Sequence, residues 1–117
     1  MAQVTIYHNP RCSKSRQTLD LIQRAGFEPE VVRYLEDPPS ASKLDAMFKA
    51  MGKEPIEVMR TGEARFKELG LNKKDERSRA EWLKLIEANP ILLERPIVVH
   101  DGKVALGRPP ENVLDIL

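Results

Sequence analysis

The chain has 117 residues, 41% of them hydrophobic and 32% charged, which is enough for one domain with its own core and too little for two. Its 19 basic and 18 acidic residues leave a net charge of +1, so no global field points to nucleic acid or an anionic membrane, and any anion site has to be local. One cysteine excludes an internal disulfide framework, and with two histidines it is too few for a structural zinc site, so no metal is expected.

The opening MAQVTIYHNP lacks the apolar run of a signal peptide, and no later stretch is long enough to cross a bilayer. A reducing, cytoplasmic location with no membrane partner is expected. Val4-Thr5-Ile6-Tyr7 is short, β-branched and aromatic and predicts a first strand, broken by Asn9-Pro10. From about Ser13 to Ala25, Leu19 and Ile22 line one helical face, with Thr18 and Leu21 beside them, before Gly26 stops the helix. Val31 to Leu35 predicts a second strand. A helix of this length between two strands implies a parallel βαβ unit with a right-handed crossover.

Pro38-Pro39-Ser40 opens the next helix, with Leu44, Met47, Phe48 and Met51 on one face and Gly52 at its end. Residues 53 to 75, charged and punctuated by Pro55, Gly62 and Gly70, predict short helices. Ser78 and Glu81 have capping-box spacing, and Trp82, Leu85 and Ile86 give the following helix its apolar face before Asn89-Pro90. Ile97-Val98-Val99 and Val104-Ala105-Leu106 flank Asp101-Gly102, a hairpin signal, and Pro109-Pro110-Glu111 starts a last short helix. The order β-α-β, helical middle, β-β-α predicts an α/β, thioredoxin-like fold with a mixed four-stranded sheet. We expect a single domain over residues 1–117 with a helical insertion at about 40–90.

The only thiol, Cys12, stands in the loop leaving the first strand and at the start of a helix. Ligands of open α/β sheets bind at such strand ends. Free helix N–H groups, with Arg11, Lys14 and Arg16 nearby, favour thiolate over thiol and lower the pKa below the free value of about 8.5. Cys12 and Ser15 form C-x-x-S rather than C-x-x-C, so a resolving thiol has to come from outside. A cysteine-phosphatase loop would need arginine at position 18, where this chain has Thr18. Ser15 can donate to the thiolate or simply cap the first turn. His8 can stabilise the thiolate, as imidazole or imidazolium, shuttle a proton, or bind backbone. His100, beside the Asp101-Gly102 turn, is expected to be solvated. Arg95 precedes Pro96 at a strand start, where thioredoxin-like proteins carry a cis-proline beside the catalytic cysteine. Sequence leaves that isomer open, trans being the default for an isolated X–Pro bond. Arg108 follows the last strand, and Arg60 ends a helical pattern before Gly62. Guanidinium groups suit tetrahedral oxyanions, although spacing alone does not bring these three together.

Ile6-Tyr7-His8-Asn9-Pro10-x-Cys12 with Ser15-Arg16, Tyr34-Leu35-Glu36-x-Pro38-Pro39, Met59-Arg60, Glu68-Leu69-Gly70-Leu71, Asn89-Pro90-Ile91-Leu92, Arg95-Pro96-Ile97-Val98-Val99 and Arg108-Pro109 run from end to end. On these motifs the chain resembles the glutaredoxin-linked arsenate reductase (ArsC) family. Stopping at Leu117, it is most similar to a shorter branch of that family. The resemblance implies Cys12 as nucleophile, His8 and Ser15 as its activators, and Arg60, Arg95 and Arg108 as oxyanion ligands. It also implies arsenate as substrate, no bound cofactor, glutathione as co-substrate and glutaredoxin as the partner that clears the mixed disulfide. Ser13, Lys14 and Arg11 depart from the small neutral residues usual around the cysteine, and the added cations bear on substrate preference. Two alternatives stay open. One is a glutathione-dependent thiol-disulfide oxidoreductase or a reductase of another oxyanion. The other is a non-enzymatic Spx-like interaction module, although Ser15 breaks the cysteine pair typical of those regulators.

Overall fold

The computed structural model describes residues 3–117; residues 1 and 2, which open the stretch examined for a signal peptide, lie outside it. The chain forms two compact units, one from residues up to Asp37 together with Arg95–Leu117, the other from Pro38–Glu94.

The first unit is built on a sheet of order β2-β1-β3-β4, from β1 (Val4–His8), β2 (Glu30–Arg33), β3 (Ile97–His100) and β4 (Lys103–Leu106). β1 pairs in parallel with β2 and antiparallel with β3, and β3 pairs antiparallel with β4. With α1 (Ser13–Arg24) as the crossover, this is the mixed four-stranded sheet of a thioredoxin-like α/β fold. Strand alternation puts Val4 and Ile6 on one face of β1, where they are buried with Ile22, Val98 and Val113. Fully burying a side chain the size of Ile22 contributes roughly 1.5–3 kcal/mol. His8 continues that parity past Ile6, so it shares their side of the sheet.

The buried stripe of α1 is Ser15, Thr18 and Ile22, with Leu19 only partly buried. The periodicity is as expected, but its first half is polar because this end of the helix packs on the Cys12 loop rather than on the aliphatic core. Both hydroxyls are satisfied there: Ser15 by His8, and Thr18 by donating from Oγ1 to the Lys14 carbonyl at 2.8 Å. Asp101 and Gly102 both take positive φ, 51° and 77°, which is the backbone a two-residue hairpin of native twist requires.

Three expectations are corrected here. β2 ends at Arg33, since the chain turns through residues 34–36 before Tyr34 and Leu35 can extend it. The last helix, Pro110–Ile116, is 3-10 rather than α. His100 is not a solvated turn residue. It ends β3, its Nδ1 is bonded to the Ile116 carbonyl, and its ring meets Phe27 edge-on at 5.4 Å. The C-terminal helix is thereby fastened to the sheet.

The second unit holds α2 (Ala41–Met51), a 3-10 turn at Pro55–Val58, α3 (Ala64–Glu68), α4 (Arg79–Ala88) and a 3-10 turn at Pro90–Leu92. Ser40 caps α2 by accepting from the Lys43 N–H, and Ser78 and Glu81 form the expected capping box of α4, each cap worth about 1 kcal/mol. The apolar face of α4 is Trp82, Leu83 and Ile86, so Leu83 takes the buried place expected of Leu85. Met59 and Leu93 form an antiparallel bridge, with Arg60 N–H donating to the Leu92 carbonyl and Glu94 N–H to that of Val58. Among the described residues no helix is long and apolar enough to cross a membrane.

Candidate active site

Cys12 is the N-cap residue of α1, extended at φ −96° and ψ 122°, and 9% of its surface is exposed. Partial burial alone would push its thiol pKa up. The Ser15 backbone N–H, a hydrogen bond from the Arg95 side chain, the Arg95 charge and the Lys14 backbone N–H together outweigh burial and hold it below the ordinary value. The first-turn N–H groups of a helix have no intrahelical partner, so a negative sulfur there completes the helix end as it gains stabilisation.

The loop itself is shaped by Asn9. Its carbonyl accepts the Cys12 N–H at 3.0 Å, its Oδ1 accepts the Arg11 N–H at 3.0 Å, and its own N–H donates to Ser15 Oγ at 3.1 Å. Ser15 is fully buried, with Oγ 2.6 Å from His8 Nδ1. Burial, followed by the charges of Arg33 and Arg16, lowers the pKa of His8, so the neutral imidazole prevails near pH 7. The Ser15 oxygen is thus held between His8 Nδ1 and the Asn9 N–H, and Ser15 also offers the sulfur its backbone N–H. The imidazolium alternative for His8 is disfavoured on the same ground.

Two arginines expected near the sulfur are there. Arg108 donates from a terminal nitrogen to Cys12 Sγ at 3.8 Å and from Nε to the Arg95 carbonyl at 2.7 Å. Arg95 faces the sulfur directly, and its Nε is buried without a hydrogen-bond partner among the described residues. Both arginines precede prolines in cis linkage, Arg95–Pro96 and Arg108–Pro109, the second of which was not expected. Their two segments are joined by the Gly107 N–H, which donates to the Pro96 carbonyl at 2.9 Å. A Cβ at Gly107 would lie 2.7 Å from Thr18 Oγ1 and 2.8 Å from Pro96 Cγ, so only glycine fits this crossing. Arg60 belongs to the second unit. There it pairs with Glu63 at 2.8 Å and Glu94 at 3.5 Å.

The profile of the ArsC family matches residues 7–116. The chain belongs to the ArsC family. A relative from Escherichia coli, the uncharacterized protein YfgD, is 50% identical over 116 residues, covering 98% of this chain and 97% of that one. An arsenate reductase of Neisseria meningitidis is 44% identical over 118 residues and the whole of both chains. The solved structure of an arsenate reductase from Vibrio cholerae superposes with a TM-score of 0.93 at 44% identity, covering 98% of each chain.

In this ArsC-family chain the residues that sequence reasoning passed over are Asn9, Thr18, Gly107 and the Lys14 N–H. Asn9 read only as a strand breaker, although an Asn two residues before Arg11 also fits an Asx turn. Gly107, directly ahead of Arg108-Pro109-Pro110, carried no signal of the Thr18 and Pro96 atoms that crowd it.

Proposed function

We propose that this protein reduces arsenate to arsenite in the reducing cytosol, with Cys12 as nucleophile. The observation that carries this is the donor set around the sulfur: Arg95 and Arg108 both reach it, while the buried Arg95 Nε–H has no acceptor among the described residues. An unsatisfied buried donor costs about 1–3 kcal/mol, which an anion oxygen seated beside the sulfur would recover. The arsenate reductases of Neisseria meningitidis and Vibrio cholerae, each similar over nearly the whole chain, support arsenate as that anion.

In this reading Arg95 and Arg108 bind the arsenate oxygens, and Cys12 thiolate attacks arsenic as one oxygen leaves as water. His8, through Ser15, keeps the loop in the form that presents N–H groups to the sulfur. Glutathione thiolate then attacks the Cys12 sulfur of the adduct. A sulfur–sulfur bond forms, the sulfur–arsenic bond breaks, and its electron pair stays on arsenic, which leaves as arsenite. The two thiols are oxidised together by the two electrons that arsenic gains. Glutaredoxin clears the resulting mixed disulfide, because the chain has no second cysteine to do so. No bound cofactor is required.

The test is arsenate-dependent NADPH oxidation with glutathione, glutaredoxin and glutathione reductase. Wild-type protein should turn over and Cys12→Ser should fall to background. Disulfide exchange with no arsenate-dependent oxidation would instead favour a thiol-disulfide oxidoreductase.

A further inference from the structure

Every arginine of residues 38–94 is held by a carboxylate. Arg24 of α1 likewise pairs with Asp20. Arg11, Arg16 and Arg33 differ: all three are exposed, and none has an ion-pair partner among the described residues. Two of them converge. Arg33 lies opposite His8 in the parallel register of β1 and β2, which places it on the same side of the sheet as His8. Arg16 directly follows Ser15, whose Oγ is bonded to His8. Their charges are the second and third causes of the lowered His8 pKa, so both are electrostatically close to that ring. Ser15 in turn presents its N–H to Cys12. Both charges therefore act on the His8–Ser15 pair, whose Ser15 N–H meets the sulfur.

Uncompensated exposed cations repel one another and lose little by waiting in water, but they attract an anion to their vicinity. Arg95 and Arg108, each followed by a cis proline, already face the sulfur. We propose that Arg16 and Arg33 form a separate docking site for the carboxylates of the external thiol that resolves Cys12, a small thiol or disulfide of the glutathione class. This rests on the reading that an outside thiol completes the reaction. It adds the place where that thiol is held, and it explains why net charge of only +1 coexists with a strongly positive neighbourhood around one sulfur.

The test leaves arsenic out. Reduced protein is mixed at low salt with glutathione disulfide or with hydroxyethyl disulfide, which has no charge, and Cys12 mixed-disulfide formation is timed by intact mass. The Cys12 thiolate attacks one sulfur, a new sulfur–sulfur bond forms and the other thiolate departs, so electrons balance without a further reductant. The quantity read is the ratio of the two rates, which cancels any change in the thiolate itself. In Arg16→Gln/Arg33→Gln that ratio should fall about three- to tenfold, the size expected of two exposed charge contacts. In wild-type protein it should fall as salt is raised. Arg16→Lys/Arg33→Lys, which keeps both charges, should retain the wild-type ratio. An unchanged ratio in the glutamine variant would overturn the proposal, whether or not both rates slow together. Loss of arsenate turnover would be seen only in the separate NADPH assay, so the two readings fail independently.

Discussion

Arg60, Arg65, Arg77 and Arg79 of residues 38–94 bind Glu63 and Glu94, Glu68, Asp75, and Asp45 and Glu54 respectively. In the other unit, Arg95 and Arg108 turn to a sulfur and a backbone carbonyl, and Arg11, Arg16 and Arg33 bind no carboxylate among the described residues. The same side chain thus does two jobs. Where carboxylates answer it, the guanidinium ties helices and turns together at little net gain. Where they are withheld, its charge is available to a thiolate and to whatever anion approaches. Arg60 is the instructive case: the family resemblance groups it with Arg95 and Arg108, yet its own unit gives it two acidic partners.

The largest effect should come from replacing a sulfur-facing arginine and comparing it with a paired one. Arg95→Lys keeps a positive charge but loses the planar fork, so a charge-assisted contact of roughly 1.5–3 kcal/mol is weakened. Arsenate kcat/KM should drop about ten- to a hundredfold, whereas Arg65→Gln, which removes an exposed partner of Glu68, should leave it within twofold. Equal losses in the two variants would erase the distinction between the regions.

Next in size is Gly107→Ala. The added methyl meets Thr18 and Pro96 below contact distance, and overpacking of this kind costs about 1–3 kcal/mol. Urea unfolding should show that loss. A variant as stable as wild type would mean the segments bearing Arg95 and Arg108 are not locked together there.

The smallest expected effect concerns His8 and acid. Its folded pKa lies below the ordinary value of about 6.5, from burial first and then from Arg33 and Arg16. Below about pH 6.5 the unfolded chain therefore binds the extra proton first. Stability from this group is complete above that pH and is lost as pH falls through the folded value. Unfolding free energy measured between pH 7 and pH 5 should fall more steeply for wild type than for His8→Gln. Identical slopes would contradict a buried neutral imidazole.

Much of this was legible beforehand for definite reasons. Val4 to Tyr7, the Asp101-Gly102 turn and the Ser78–Glu81 capping box are local signals, read within a few residues. The lone cysteine drew notice through Arg11, Lys14 and Arg16 beside it in sequence, yet what lowers its pKa is the Ser15 and Lys14 backbone N–H groups and Arg95, not those three charges. What escaped depended on atoms distant in sequence. The Ser15 hydroxyl turns to His8 seven residues back, which spacing could not choose over the sulfur. Thr18 and Gly107 meet across 89 positions, and such a contact leaves no periodic trace. Pairing of Arg60 with Glu94 is likewise invisible until the Met59–Leu93 bridge brings their segments together.

The claim beneath all of this is that the Cys12 thiol is more acidic than an ordinary one, and its alkylation by iodoacetamide as a function of pH measures that directly. The native rate should reach half its maximum clearly below the ordinary thiol value of about 8.5 and keep a plateau above neutrality. A half-maximum at or above that ordinary value, with the protein folded, would contradict the account.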